Sequence, residues 1–388
     1  MATLVIPKSD STVRLRAIDA KCAVSLHTRN FLEPQLVGFE TLNLTTVCYL
    51  IDHPASGKRI LFDCGARKDF ENYSPAFKDR LNTIIKGLRI EADVNDILED
   101  AGILLSSIDS IVWSHWHWDH IGAAAKFPRS AEVVVGPGFK DNFMPGYPTN
   151  PQAPLLDADF RDRTVNEISF DKSPLRIGNF AAFDFFGDGS FYLLDSPGHA
   201  IGHMCGLART TPTTFVFLGG DICHFPGMFR PGPQAPLPDP VPSAQLDDYF
   251  PIPCPCSLFT RHHPLIEPDS KAAKSSSFFE VTSVKPSSYH DREPAMNSIR
   301  AMQEFDASPD ILVCIAHDPT LLKVLPLLND SIDDDLNEWK ERGFKERLQW
   351  GWLNELPRNG KPGRPALVEG AWRDGKKITD FQELKASS

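Results

Sequence analysis

Nowhere in its 388 residues does the sequence hold an uninterrupted apolar run approaching the roughly 18 residues that span a bilayer. Its first residues, Met1-Ala-Thr-Leu-Val-Ile-Pro-Lys8, also lack the apolar stretch of a secretory signal. The expectation is a cytoplasmic protein with no membrane partner. Positive charge is scarce too: 40 Lys and Arg against 51 Asp and Glu leave a net charge of −11. A surface that tracks phosphates needs clustered cations to displace counterions, so nucleic acid is excluded as a partner. The eight cysteines follow no regular spacing, and several sit in apolar runs such as Leu312-Val-Cys314-Ile315. They read as buried thiols of a reducing compartment rather than a disulfide framework. Cys254 and Cys256 form a close pair, open to a structural, a metal or a redox reading. Internal repeats are absent, which excludes a solenoid.

What is present is ordinary for a globular α/β protein: 41% hydrophobic and 23% charged residues, in a chain long enough for a large core. Strands are predicted over residues 12–26, 44–64, 108–114, 132–135, 191–194, 214–221 and 311–317, with two or three more between 165 and 186. Leu81, Ile84, Ile85 and Leu88, then Val94, Ile97, Leu98 and Ala101, recur at helical spacing between Phe77 and Gly102. Residues 225–292 are rich in Pro and Ser and too long for an ordinary connection, which suggests an insertion or lid. Beyond residue 333 come a charged amphipathic segment, Leu336 to Trp352, and a polar tail from Asn359. The organisation expected is a catalytic unit over 1–330 and a C-terminal helical extension and tail over 331–388.

The chemistry concentrates in Ser114-His115-Trp116-His117-Trp118-Asp119-His120. In extended backbone, residues i and i+2 point to one side, so His115 and His117 can reach one metal. If a helix begins at about Asp119, then Asp119 and His120 swing toward a point a few Å further on. Imidazole and carboxylate suit zinc, and so many polar rings buried without a metal would go unsatisfied. Three distant segments repeat one arrangement, a polar group where an apolar strand stops: His199 after Phe191-Tyr-Leu-Leu194, Asp221 after Thr214–Gly220, and His317 after Ile311–Ala316. Ala123–Lys126 is expected to continue the helix begun near Asp119. His203 is read as a brace for the turn that carries His199. His27, His53, His262, His263 and His290 have no partner pattern and are placed on loops.

The His-x-His-x-Asp-His loop with these three distant positions resembles the metallo-β-lactamase superfamily over roughly residues 40 to 320. The resemblance implies an αββα sandwich in which His115, His117 and His199 hold one ion and Asp119, His120 and His317 a second. Asp221 would bridge the two, and Asp63 would order the loop. Two Zn2+ are expected, with Fe or Mn as other divalent possibilities, and a hydroxide shared between the ions would be the nucleophile. Within the superfamily the sequence is most similar to quorum-quenching lactonases and to fungal lactamases that open benzoxazolinone rings. That likeness implies hydrolysis of a cyclic ester, amide or carbamate in a small apolar or aromatic molecule. Glyoxalase II-like thioesterases and iron-dependent sulfur or persulfide dioxygenases share the ligand pattern and stand as alternatives; a homodimer is an admissible assembly. Asp119 and His224 are the candidate catalytic groups. Three residues after the bridging acid, the lactonases place a tyrosine against the substrate carbonyl, where this chain has His224, able to donate the same bond or to serve as a structural residue. Trp116 and Trp118 alternate with ligands, and Phe225, Met228 and Phe229 closely follow Asp221. All five are candidates for the substrate pocket, with core packing as the other reading.

Overall fold

Consecutive residues of a strand point to opposite faces. Along Thr41–His53 both faces are apolar: Val47, Tyr49 and Ile51 enter one buried cluster while Cys48 and Leu50 enter another. The same division separates Ile60 and Phe62 from Leu61, and Val216 and Leu218 from Phe215 and Phe217. A sheet that is apolar on both faces has to be covered on both. The computed structural model, which describes residues 4–171, 174–263, 270–373 and 375–379, meets that demand with two facing sheets and helices outside them.

Among the described residues, one sheet runs in the order Lys376–Thr379, Gly370–Arg373, Ile85–Ile90, Arg14–His27, Thr41–His53, Lys58–Phe62, Ser110–Val112, Glu132–Val135, Val165–Glu167. The other runs Ile311–Cys314, Phe215–Leu218, Met204–Arg209, Phe191–Asp195, Phe180–Asp184, Arg176–Ile177. Phe62, Val112 and Val134 of the first meet Phe191, Leu193 and Val216 of the second in the inner core. Outside, Phe77 and Leu81 of helix Pro75–Ile84 and Val94 and Leu98 of helix Val94–Asp100 pack with the first sheet. Met296, Ile299, Met302 and Phe305 of helix Arg292–Ala307 pack with the second. Asp291 caps that last helix, its side chain accepting the Glu293 N–H at 3.3 Å. This is the expected αββα sandwich.

Two local expectations are corrected. Ile84, Ile85 and Leu88 share a helical spacing, yet the helix ends at Ile84 and Ile85–Ile90 is a strand between Arg14–His27 and Gly370–Arg373. Gly87 permits the second pairing, because a Cβ there would lie 2.1 Å from the Val368 carbonyl oxygen. The helix Trp118–Ile121 stops at Gly122, with φ of 53°, and does not continue through Ala123–Lys126, where Ala124–Lys126 forms only a 3-10 turn. Gly122 lies against Cys64, whose carbonyl oxygen would be 2.2 Å from an added Cβ.

The stretch 331–388, expected as a C-terminal helical extension and tail, begins with residues that pack on the sandwich. Leu336, Trp339, Phe344 and Leu348 sit in the inner core, where leaving them outside would expose large apolar surfaces to water. Asn337 accepts the Leu15 N–H at 3.0 Å and donates to the Val13 carbonyl at 2.8 Å, stitching this segment to the first strand. Part of the tail expected from Asn359 is ordered as the strands Gly370–Arg373 and Lys376–Thr379; residues 380–388 lie outside the described residues. Among the described residues, 225–291 contain only short elements, among them Pro226–Met228, Ser243–Gln245 and Ser257–Thr260. All eight cysteines are buried and free. Among the described residues no helix is long and apolar enough to cross a membrane.

Candidate metal centre

One carboxylate shapes the histidine loop. Asp63, at the end of strand Lys58–Phe62, accepts the Ser114 N–H through Oδ1 at 2.7 Å and faces Nδ1 of His120 through Oδ2 at 2.8 Å. The loop is thereby held at both ends, and the helix Trp118–Ile121 starts directly after His117. The other candidates arrive from the second sheet: His199 and Asp221 after strands Phe191–Asp195 and Phe215–Leu218, and His317 after Ile311–Cys314. All seven expected ligands are buried at one end of the sandwich.

They fall into two sets. Nε2 of His199 lies 3.2 Å from Nε2 of His115 and 2.9 Å from Nδ1 of His117, and both His115 and His199 approach Oδ2 of Asp221, at 3.6 and 3.5 Å. Nε2 atoms of His120 and His317 approach the other oxygen of Asp221, at 3.0 and 2.9 Å, with Asp119 oxygens 3.9 and 3.4 Å away. A single carboxylate therefore divides between two groups of nitrogens. Nε2 of His120 and Oδ1 of Asp221 are fully buried, yet neither has a hydrogen-bond partner of acceptable geometry. Buried polar atoms left in that state are costly unless something else satisfies them. A divalent cation in each set would do so, and nitrogen and carboxylate oxygen are the donors such cations take.

The groups behind the ligands fix which nitrogen points inward. His317 donates from Nδ1 to the Thr45 carbonyl at 2.7 Å, which leaves Nε2 for the cluster. Nδ1 of His115 meets Ser114 Oγ at 3.0 Å. His203, expected as a brace for the His199 turn, meets Ser196 of that turn through Nδ1, 2.8 Å from its Oγ, and also holds the bridging acid: its Nε2 accepts the Asp221 N–H at 3.1 Å. Burial pushes the His203 imidazole down to about 4, so it is neutral and can accept. Burial likewise lowers His115 and His199 well below the usual imidazole range. It opposes ionisation of Asp221 as well, but His120 and His317 outweigh it and hold that carboxyl well below its usual value. For Asp119 burial prevails and the carboxyl is raised.

His224 comes to the same edge, with Nε2 3.2 Å from Oδ2 of Asp221 and its ring 4.6 Å from that of Phe31. A chamber of about 30 Å³ touches Asp119, Asp221, His224 and His317 and is walled by Leu26, Phe31, Leu44 and Trp118. That is room for about two waters. A larger cavity of about 340 Å³ reaches His117 and His199 and is bounded by Trp116, Phe143 and the segment Ser287–His290. Both tryptophans thus face a cavity, as expected of at least one. Phe225, Met228 and Phe229 do not: they are core residues behind the site, Phe225 packing edge-on against Phe279 and Trp352. Their apolar side chains follow Asp221 in sequence but are drawn into the outer core. No residue of Pro226–Pro242 lines either cavity; the wall comes from the far end of the Pro-rich segment.

Of the histidines placed on loops, His53 ends a strand and is buried against Asp188, at 2.8 Å, while His290 lines the larger cavity. Tyr289, Ser288 and His290 had no sequence signal as site residues, because nothing local links them to ligands so distant in the chain. Cys254 and Cys256 belong to no metal-ligating group among the described residues, and burial raises both thiols.

The family described as the Metallo-beta-lactamase superfamily matches residues 43–216. Gamma-lactamase FDB1 of Fusarium pseudograminearum (strain CS3096) is 40% identical over 361 residues, covering 91% of this chain and 84% of the relative. The chain belongs to the metallo-beta-lactamase superfamily. Metallo-hydrolase mfmC of Annulohypoxylon moriforme is 39% identical over 358 residues, 91% of this chain and 90% of the relative. A solved quorum-quenching N-acyl homoserine lactone lactonase superposes with a TM-score of 0.51 at 17% identity, over 82% of this chain and 98% of that one, a likeness of fold alone. With these relatives the chain is a hydrolase of the superfamily, and its His and Asp clusters could hold divalent metal.

Proposed function

We propose that this chain is a dinuclear zinc hydrolase that opens a cyclic ester or a cyclic amide or carbamate in a small, largely apolar molecule. The observation that carries the reading is the division of Asp221 between two buried ligand sets, Oδ2 toward His115 and His199, Oδ1 toward His120 and His317. His115, His117 and His199 would hold one ion, Asp119, His120 and His317 the other, and Asp221 both. The donors suit zinc, and Fe or Mn are the other metals they accept. A bound pair supplies a water of lowered pKa and polarises a carbonyl.

The chain's own residues do the rest. Leu26, Phe31 and Leu44 give the small chamber an apolar wall opposite its polar groups, which strengthens the electrostatic interactions inside it. Hydrolysis joins a water oxygen to the acyl carbon, breaks the ring C–O or C–N bond, and delivers a proton to the departing atom. Asp119, lining that chamber beside His317, is placed to hold this proton. His224 is placed to donate from Nε2 toward the edge where negative charge develops. Support for the ring substrate comes from the Fusarium relative, which is named a gamma-lactamase.

The test is a hydrolysis panel of lactones, γ-lactams, benzoxazolinones and thioesters with purified, metal-loaded protein. Ring opening that chelation abolishes is expected for lactams or lactones, with thioesters the poorer substrates. Oxygen consumption with a thiol or persulfide by the iron-loaded protein, and no ring opening, would replace this reading with a sulfur dioxygenase.

A further inference from the structure

Behind His224 stands a residue from the other end of the Pro-rich segment. The Tyr289 hydroxyl lies 2.8 Å from Nδ1 of His224, and the Tyr289 ring is edge-on to both His224 and His199, with centroids 5.2 Å away in each case. Its placement is fixed by the backbone on either side. Ser288 donates its N–H to the Asn30 carbonyl, His290 to the His199 carbonyl and Asp291 to the Gly198 carbonyl, each at 2.9 Å. Two of these hydrogen bonds tie the segment after Tyr289 to the turn that carries His199, and the third anchors the residue before it to Asn30.

The donor inventory then decides how the protons are arranged. Asp221 is a carboxylate and only accepts, so with His224 outside the metal ligand set the Nε2 that faces it at 3.2 Å carries the hydrogen. Nδ1 is then a lone pair, and the Tyr289 O–H is the donor that meets it. In the reverse arrangement a bare Nε2 would face a bare carboxylate oxygen. The phenol proton would be left with Met228 Sδ at 3.7 Å, a weak acceptor. We infer that Tyr289 is a positioning residue whose hydroxyl holds His224 as its Nε2–H tautomer and aims that N–H at the cluster edge where ring opening leaves negative charge. The inference rests on the hydrolase reading for its effect on rate, but not for the tautomer itself.

Two measurements on the full chain test it. In histidine-labelled protein, ¹⁵N shifts of His224, assigned by the difference from His224→Gln, should report an Nε2–H tautomer in the wild type and a mixture in Tyr289→Phe. With the best ring substrate, Tyr289→Phe should lower kcat by about tenfold, the lower end of what orienting groups contribute, with KM and metal content close to wild type. An Nδ1–H tautomer in the wild type, or a Tyr289→Phe protein with unchanged shifts and kcat, overturns the proposal. Loss of metal in Tyr289→Phe also overturns it, since the hydroxyl would then serve the ligand set. If no ring in the panel is opened, the hydrolase reading fails while the tautomer measurement still decides the role of Tyr289.

Discussion

Nε2 of His203 accepts the backbone N–H of Asp221 at 3.1 Å, while its Nδ1 lies 2.8 Å from Ser196 Oγ and 3.1 Å from the Ser196 carbonyl. The residue after strand Phe191–Asp195 is thus linked to the acid after strand Phe215–Leu218 through one neutral ring. His203→Ala should weaken metal retention by 10- to 100-fold, on the scale typical of such supporting groups, as read by competition with a coloured chelator. Wild-type retention would reduce His203 to a packing residue.

Two ions per chain are expected by elemental analysis of the purified protein. Asp221→Ala should lose at least one of them and most of the activity, because the carboxylate offsets repulsion between the cations. A wild-type protein that holds one ion, with no gain in rate on adding a second, would leave the dinuclear mechanism without support.

Trp116 and Phe225 should behave oppositely, since one bounds a cavity and the other fills the core. Phe225→Ala should cost about 3–5 kcal/mol of stability in denaturant titrations, with little change in KM for the molecules that remain folded. Trp116→Ala should raise KM or reorder substrate preference at a smaller stability cost. Equal kinetic effects would mean that the two cavities are not where substrate binds.

Asp159 offers a pH-dependent test away from the metal ligands. Burial pushes its carboxyl up to about 6, with Arg67 and the Ala125 N–H only partly offsetting the cost of ionising it. The folded state therefore keeps a proton that the unfolded chain has lost between pH 3.8 and about 6, so this contribution to stability is present below 3.8 and lost as pH rises through about 6. Asp159→Asn should stabilise the protein relative to wild type at pH 8 but not at pH 4. At 1.36 kcal/mol per unit the difference is up to about 3 kcal/mol, measured by chemical denaturation at both pH values.

The clustering of the seven candidate ligands was legible because they are local or sit at strand ends: four in one loop, then single polar residues closing the apolar runs that end before His199, Asp221 and His317. The wall was not legible, since Tyr289 meets His224 only through the way helix Arg292–Ala307 and its cap settle on the Gly198–His199 turn. Ile85–Ile90 misled for a related reason. Apolar residues three apart fit a helix or a strand with neighbours on both sides, and the neighbour that decides between them is Gly370–Arg373. Phe225 was ambiguous because closeness to a ligand in sequence says nothing about which way a ring turns once other aromatics compete for it.

That same strand pairing sets an order for events on the ribosome. Ile85–Ile90 leaves synthesis early, but its second partner, Gly370–Arg373, is among the last described segments made. Until then the nascent sheet keeps an unpaired apolar edge, the kind that recruits other chains, and the pairing that closes it has a high sequence separation and forms slowly. The first sheet therefore stays incomplete until Gly370–Arg373 is made, and a nascent chain stalled before Gly370 would carry the candidate metal ligands together with an aggregation-prone edge.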